Sequence, residues 1–124
     1  TVDQAISFCE HVLSKHDVLA YVSGHEHNYS RALIGSETVP GAANPVWSII
    51  SGGSGAPYYA QDTPAEYADR VETFSTQQHY TLWTFDGPQV RLQVIGLTGD
   101  VIEDLLLEDG PLVPIPALPI PESP

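Results

Sequence analysis

Residues 18–22, Val-Leu-Ala-Tyr-Val, form an apolar run without alternation, closed by Ser23 and Gly24. A strand that faces water on one side alternates polar and apolar residues. A short continuous run instead suits a strand covered on both faces, as in a helix-covered sheet. Upstream, residues 1–16 carry Val2, Ala5, Ile6, Cys9, Val12 and Leu13 at helical spacing, with Asp3, Glu10 and Ser14 on the opposite face. Thr1 and Gln4 have the form of a capping box at the start of that helix. A helix feeding a buried strand is the opening of an α/β or α+β fold.

The pattern continues through a loop at 35–45, Gly-Ser-Glu-Thr-Val-Pro-Gly-Ala-Ala-Asn-Pro, to a second buried run at 46–51 that breaks at Ser51-Gly52-Gly53-Ser54-Gly55-Ala56-Pro57. Residues 64–72 read as a short helix. Beyond them 79–85 and 89–95 alternate around Asp86-Gly87, the signal of a β-hairpin, and a turn at Thr98-Gly99-Asp100 leads to a third strand at 101–107. The chain therefore divides into one domain, 1–108, and a tail or linker, 109–124. That tail holds Pro111, Pro114, Pro116, Pro119, Pro121 and Pro124, which suit neither a helix nor a central strand.

Charge narrows the function. Sixteen acidic residues face four basic ones, for a net charge of −12. Lys15, Arg31, Arg70 and Arg91 are too few to neutralise a nucleic-acid backbone, so no nucleic-acid partner is expected. No apolar stretch is long enough to span a membrane, and the first residues lack the basic start and apolar block of a signal peptide. Cys9 is single and makes no internal disulfide framework. The chain contains no methionine, even at position 1, and so reads as a piece of a longer protein.

Gly24 is followed by His25-Glu26-His27. On an extended segment, residues two apart face the same side, about 6–7 Å apart at the Cα atoms, or two strand rises. Two imidazoles so placed at a strand end could hold one ion, or one each of two neighbouring ions about 3.5–4 Å apart. A bare H-x-H is a weak signal, and on spacing alone is more often a pair of loop residues with ordinary hydrogen bonds. Other candidates have plainer readings. Cys9 is a packed thiol, and His11 and His16 face solvent. His79 is a surface or edge residue. Tyr29 and Arg31 serve packing and an ion pair, and Trp47 and Trp83 belong to the core or the tail cover. Ser54 does not meet the G-x-S-x-G pattern of an exposed nucleophile.

Gly24-His25-Glu26-His27 with Asn28, Tyr29, Ser30 and Arg31, followed some twenty residues later by Ile50 to Pro57 and closed by a hairpin, resembles the C-terminal half of the calcineurin-like metallophosphoesterases, in particular the purple acid phosphatase-like branch. The resemblance covers about residues 1 to 107. It implies a four-layer α/β/β/α sandwich and metal-dependent hydrolysis of phosphomonoesters or phosphodiesters. It also implies two divalent or trivalent metal ions, iron, manganese or zinc, with His25 a ligand to one and His27 to the other. Members of that branch are often exported, which implies an extracytoplasmic location.

The family's other metal ligands come from motifs N-terminal to this one, D-x-H, G-D and G-N-H-[DE], and from a further histidine. None of those motifs occurs in the residues before Gly24. Gly99-Asp100 follows the histidines and does not correspond. The resemblance thus implies a half-site, completed by a missing N-terminal half and inactive alone. Two alternatives stand beside it: a non-catalytic binding module derived from a truncated phosphoesterase, and a half-enzyme completed in trans by another polypeptide.

Overall fold

A computed structural model describes residues 1–57 and 70–108. The expected tail at 109–124 and most of the short helix expected at 64–72 lie outside these residues. The end of that expected helix, Val71 and Glu72, belongs to a strand instead.

The chain opens with helix α1, Val2–Phe8, which runs into a π-helical turn, Cys9–Leu13. The anticipated capping box is present: the Thr1 hydroxyl accepts from the Gln4 amide at 3.3 Å, and Gln4 Oε1 accepts from the Thr1 nitrogen at 2.8 Å. The wider turn is made by the Ser14 amide donating to the Cys9 carbonyl at 2.9 Å. The helical segment ends in a Schellman arrangement. Val18 donates to Leu13 and Asp17 to Ser14, with Asp17 in the left-handed region at φ 53°. The sequence expectation of a helix to residue 16 thus becomes seven α-helical residues, a π turn and a cap.

Two sheets follow. The first contains β1 (Ala20–Ser23), β2 (Tyr29–Ile34), β3 (Val46–Ser51) and β4 (Val71–Ser75), in the order β1-β3-β2-β4. Strands β1 and β3 are parallel, and β2 is antiparallel to both β3 and β4, with a register shift between Arg31 and Ala32. The second sheet is the expected meander of β5 (His79–Asp86), β6 (Gln89–Gly96) and β7 (Val101–Leu107). The described fold is mixed α+β and mostly sheet. None of its helices is long and apolar enough to cross a membrane.

The core lies between the sheets. Tyr29, Trp47 and Ile49 from the first meet Leu92, Val94 and Leu107 from the second. β3 is central and buried as expected, and the Trp47 indole donates to the Glu108 carbonyl at 2.9 Å. β1 departs from expectation. It sits at a sheet edge, paired with β3 alone, and Tyr21 and Val22 are 45% and 48% exposed. The two-sided cover that residues 18–22 call for is not supplied by the described residues. The same holds for the apolar residues Val2, Ile6 and Phe8 of α1 and Val12 of the π turn, which are exposed.

A buried carboxylate joins the sheets. Glu103 on β7 is 8% exposed and Arg31 on β2 is 5% exposed. Arg31 donates to both Glu103 oxygens, at 2.8 Å from Nη2 to Oε1 and 3.0 Å from Nε to Oε2. The Tyr29 hydroxyl donates to Glu103 at 2.6 Å, and the Thr73 hydroxyl donates to it as well. Arg31 also reaches Glu72 at 2.6 Å, with its guanidinium 4.8 Å from the centre of the Trp47 ring. Burial alone would raise the Glu103 carboxyl. The hydrogen bonds from Arg31, Thr73 and Tyr29, with the Arg31 charge, outweigh it and hold the group below its ordinary value. Burial, and then the bond to Glu103, push the Tyr29 phenol well up.

Glu103→Gln keeps the shape and removes the charge, leaving Arg31 short of its main partner. The expected loss is about 3–5 kcal/mol, read from urea unfolding at neutral pH. Because the folded carboxyl titrates below its ordinary value of 4.5, its contribution is complete above that pH and is lost as the pH falls through the lower folded value. The wild-type chain should therefore lose stability from this group on acidification below about pH 4.5, and Glu103→Gln should lack that component.

Candidate metal centre

Strands β1 and β3 run parallel and finish together, at Ser23 and Ser51. The chain leaving β1 must reach β2, which lies on the far side of β3. Residues 24–28 make that crossing, and so pass over the end of β3. His25 and His27 are therefore in a loop at the carboxyl end of a parallel strand pair, where open α/β sheets present their ligand sites. They do not lie on an extended strand, so the same-face alternation expected from their spacing does not apply. His25 has φ 77°. A non-glycine residue there costs about 1–3 kcal/mol and persists only where its surroundings impose it. His27 is the centre of a tight three-residue turn, with the Asn28 amide donating to the Glu26 carbonyl at 2.8 Å.

The glycine block is packed against this loop. A Cβ on Gly52 would lie 2.1 Å from the Glu26 carbonyl oxygen and 3.4 Å from the His25 nitrogen. Gly52 also donates its amide to the Asn28 carbonyl at 3.0 Å. The glycine that allows close approach is thus Gly52. Gly24, expected from sequence to do so, would bring a Cβ no nearer than 4.0 Å to the Ser51 carbonyl. At the far end of the block the Pro57 carbonyl lies 2.6 Å from His27 Nδ1. A carbonyl only accepts, so Nδ1 carries the proton, and the lone pair of the neutral ring falls on Nε2. Metal-ligating histidines characteristically hold their second ring nitrogen in this way.

The donor chemistry of this loop fits imidazole ligation. His27 has an oriented tautomer, and His25 is exposed two residues away in the same loop. Among the described residues no three His, Cys, Asp or Glu side chains gather about one point. The other candidates fall as their plainer readings had them. Cys9 is buried, its thiol pushed up by burial and then by Glu10, and His11 and His16 are exposed. Ser54 is exposed in a turn closed by the Gly55 amide on the Gly53 carbonyl. Tyr29 and Arg31 serve the core and the ion pair described above.

His79 is a correction in part. It begins β5, an edge strand of its sheet as expected, but it is no surface residue, being 4% exposed. Its ring lies against Gly53, Ser51 and Tyr29. A histidine at the head of an alternating strand gives no sign of burial, because what receives it is the missing side chain of Gly53, in the loop that follows the other sheet's β3.

Two substitutions separate the roles of the glycines. Gly52→Ala sets a Cβ against backbone, so the loop must move, at an expected cost of about 1–3 kcal/mol. Gly24→Ala meets only ordinary contact and should fall within about 0.5 kcal/mol of wild type. Thermal or urea unfolding of both variants checks the contrast. No protein-family model matches the chain, and no curated protein matches it.

Proposed function

We propose that the chain is the C-terminal part of a metal-dependent phosphoesterase of calcineurin-like fold, and that His25 and His27 are two of the ligands of its two-metal site. The observation that carries this reading is the union in space of two sequence blocks. The loop of 24–28 lies on Gly52, and Pro57 from the same glycine block orients the His27 ring.

In this reading the ions are iron, manganese or zinc, and the substrates are phosphomonoesters or phosphodiesters. When bound, the metal pair supplies the positive charge that polarises a phosphoryl group. The residues of this chain do the holding. Pro57 fixes the His27 tautomer, the turn at 26–28 fixes its backbone, and Gly52 admits the loop that carries His25. The remaining ligands and the outer layers of the four-layer sandwich come from an N-terminal half. The exposed apolar residues of α1 and the edge position of β1 among the described residues support completion by further polypeptide, because uncovered surfaces of this kind pair with another chain. They equally favour the second reading, a binding module that uses this face without metal.

Hydrolysis of p-nitrophenyl phosphate and bis-p-nitrophenyl phosphate by the intact parent, with metal content measured alongside, tests the proposal. His25→Ala and His27→Ala are each expected to abolish metal-dependent turnover. Activity at normal metal occupancy in both variants would overturn it. Saturable binding of another protein by the metal-free chain, with no hydrolysis by the parent, would establish the second reading.

A further inference from the structure

His79 is the one buried histidine of the described residues, and it sits on the sheet that does not carry the candidate ligands. Its Nδ1 lies 2.9 Å from the Gln77 carbonyl. That oxygen only accepts, so the proton is on Nδ1, and in the neutral ring Nε2 accepts. Nε2 lies 3.0 Å from Ser51 Oγ, which therefore donates to it. The ring meets Tyr29 edge to face, with centroids 5.6 Å apart. On its remaining side it fills the space a side chain on Gly53 would need, with Cε1 2.6 Å and Nδ1 2.7 Å from that Cβ position.

These contacts fall on both halves of the candidate site. Ser51 ends β3 and begins the glycine block. Tyr29 begins β2, is paired with Ser51 across the sheet, and is separated from His27 only by Asn28. Gly53 leads on to Pro57, whose carbonyl orients His27. One ring thus spans the place where the glycine block and the histidine loop diverge. An apolar side chain could fill the volume, but only a polar atom at the Nε2 position holds the Ser51 hydroxyl.

We infer that His79 is a positioning residue for the His25–His27 loop, acting through Ser51 and Gly53 from the opposite sheet. The inference rests on the reading of that loop as a metal site. The placement of the loop can nonetheless be measured without metal.

The test is hydrogen exchange followed by mass spectrometry on the protein as its source makes it, comparing the peptides spanning 24–28 and 52–57 with the rest. His79→Leu removes the acceptor. Ser51→Ala removes only the hydroxyl and serves if the first variant folds poorly. His79→Gln restores an acceptor, and Val94→Ala is a control that loosens the core elsewhere. The expected result is exchange about tenfold faster in those two peptides alone for His79→Leu and Ser51→Ala, the change given by one lost hydrogen bond of ordinary size. His79→Gln should return it toward wild type. Exchange that rises uniformly, as in Val94→Ala, or that Gln fails to rescue, would overturn the inference. Added Zn²⁺ separates the two readings. If it leaves the 24–28 peptide of the wild type unprotected, the metal assignment fails while the positioning result stands on the metal-free comparison.

Discussion

The carboxylate of Glu103 is the point on which the two sheets depend. It is brought into the interior on β7 and receives donors from Arg31, Tyr29 and Thr73, all on the other sheet. A buried ion pair repays its desolvation only when the remaining lone pairs are also satisfied, and here they are. The arrangement is directional in a way apolar packing is not. Leu92 and Val94 could slide against Ile49 at modest cost, but a carboxylate bonded to three side chains on two strands fixes both the register and the distance between sheets. The starting residue of β2 is one of those three. The clamp therefore reaches to within two residues of His27.

Much of the fold is legible in the sequence, and the illegible parts share a cause. The capping box, the central strand at 46–51, the hairpin and the turn at 98–100 follow from local chemistry and local periodicity. Strands β2 and β4 do not announce themselves. β2 carries Arg31 at its centre and β4 carries Glu72, and a charge in a strand reads as solvent exposure until its partner is known. The partners are 41 and 72 residues away. Residues 18–22 differ in the opposite direction. Their composition describes a strand covered on both faces, while the described residues leave it at an edge.

The candidate site was legible as composition and not as geometry. His25 and His27 can be picked out from their spacing, and so can the glycine block. That the loop is bent and not extended, with His25 left-handed, could not be read, because it follows from the need to cross β3 between two strands that are not neighbours. Gly52 is the trace of that crossing in the sequence. Its meaning depends on the Glu26 carbonyl that lies over it. His79 lies deeper still, since a glycine in the loop after one sheet and a histidine on the other make sense only together.

The Trp47 indole holds the Glu108 carbonyl near the beginning of β3, while the histidine loop lies over that strand's end. The chain thus leaves the sheets at one pole and presents its candidate ligands at the other, about 16–20 Å away by strand rise. The bond from Trp47 to Glu108 therefore ties the end of the second sheet to the inter-sheet core at the pole away from the loop, so a change at Trp47 bears on the clasp between the sheets before it bears on the histidines.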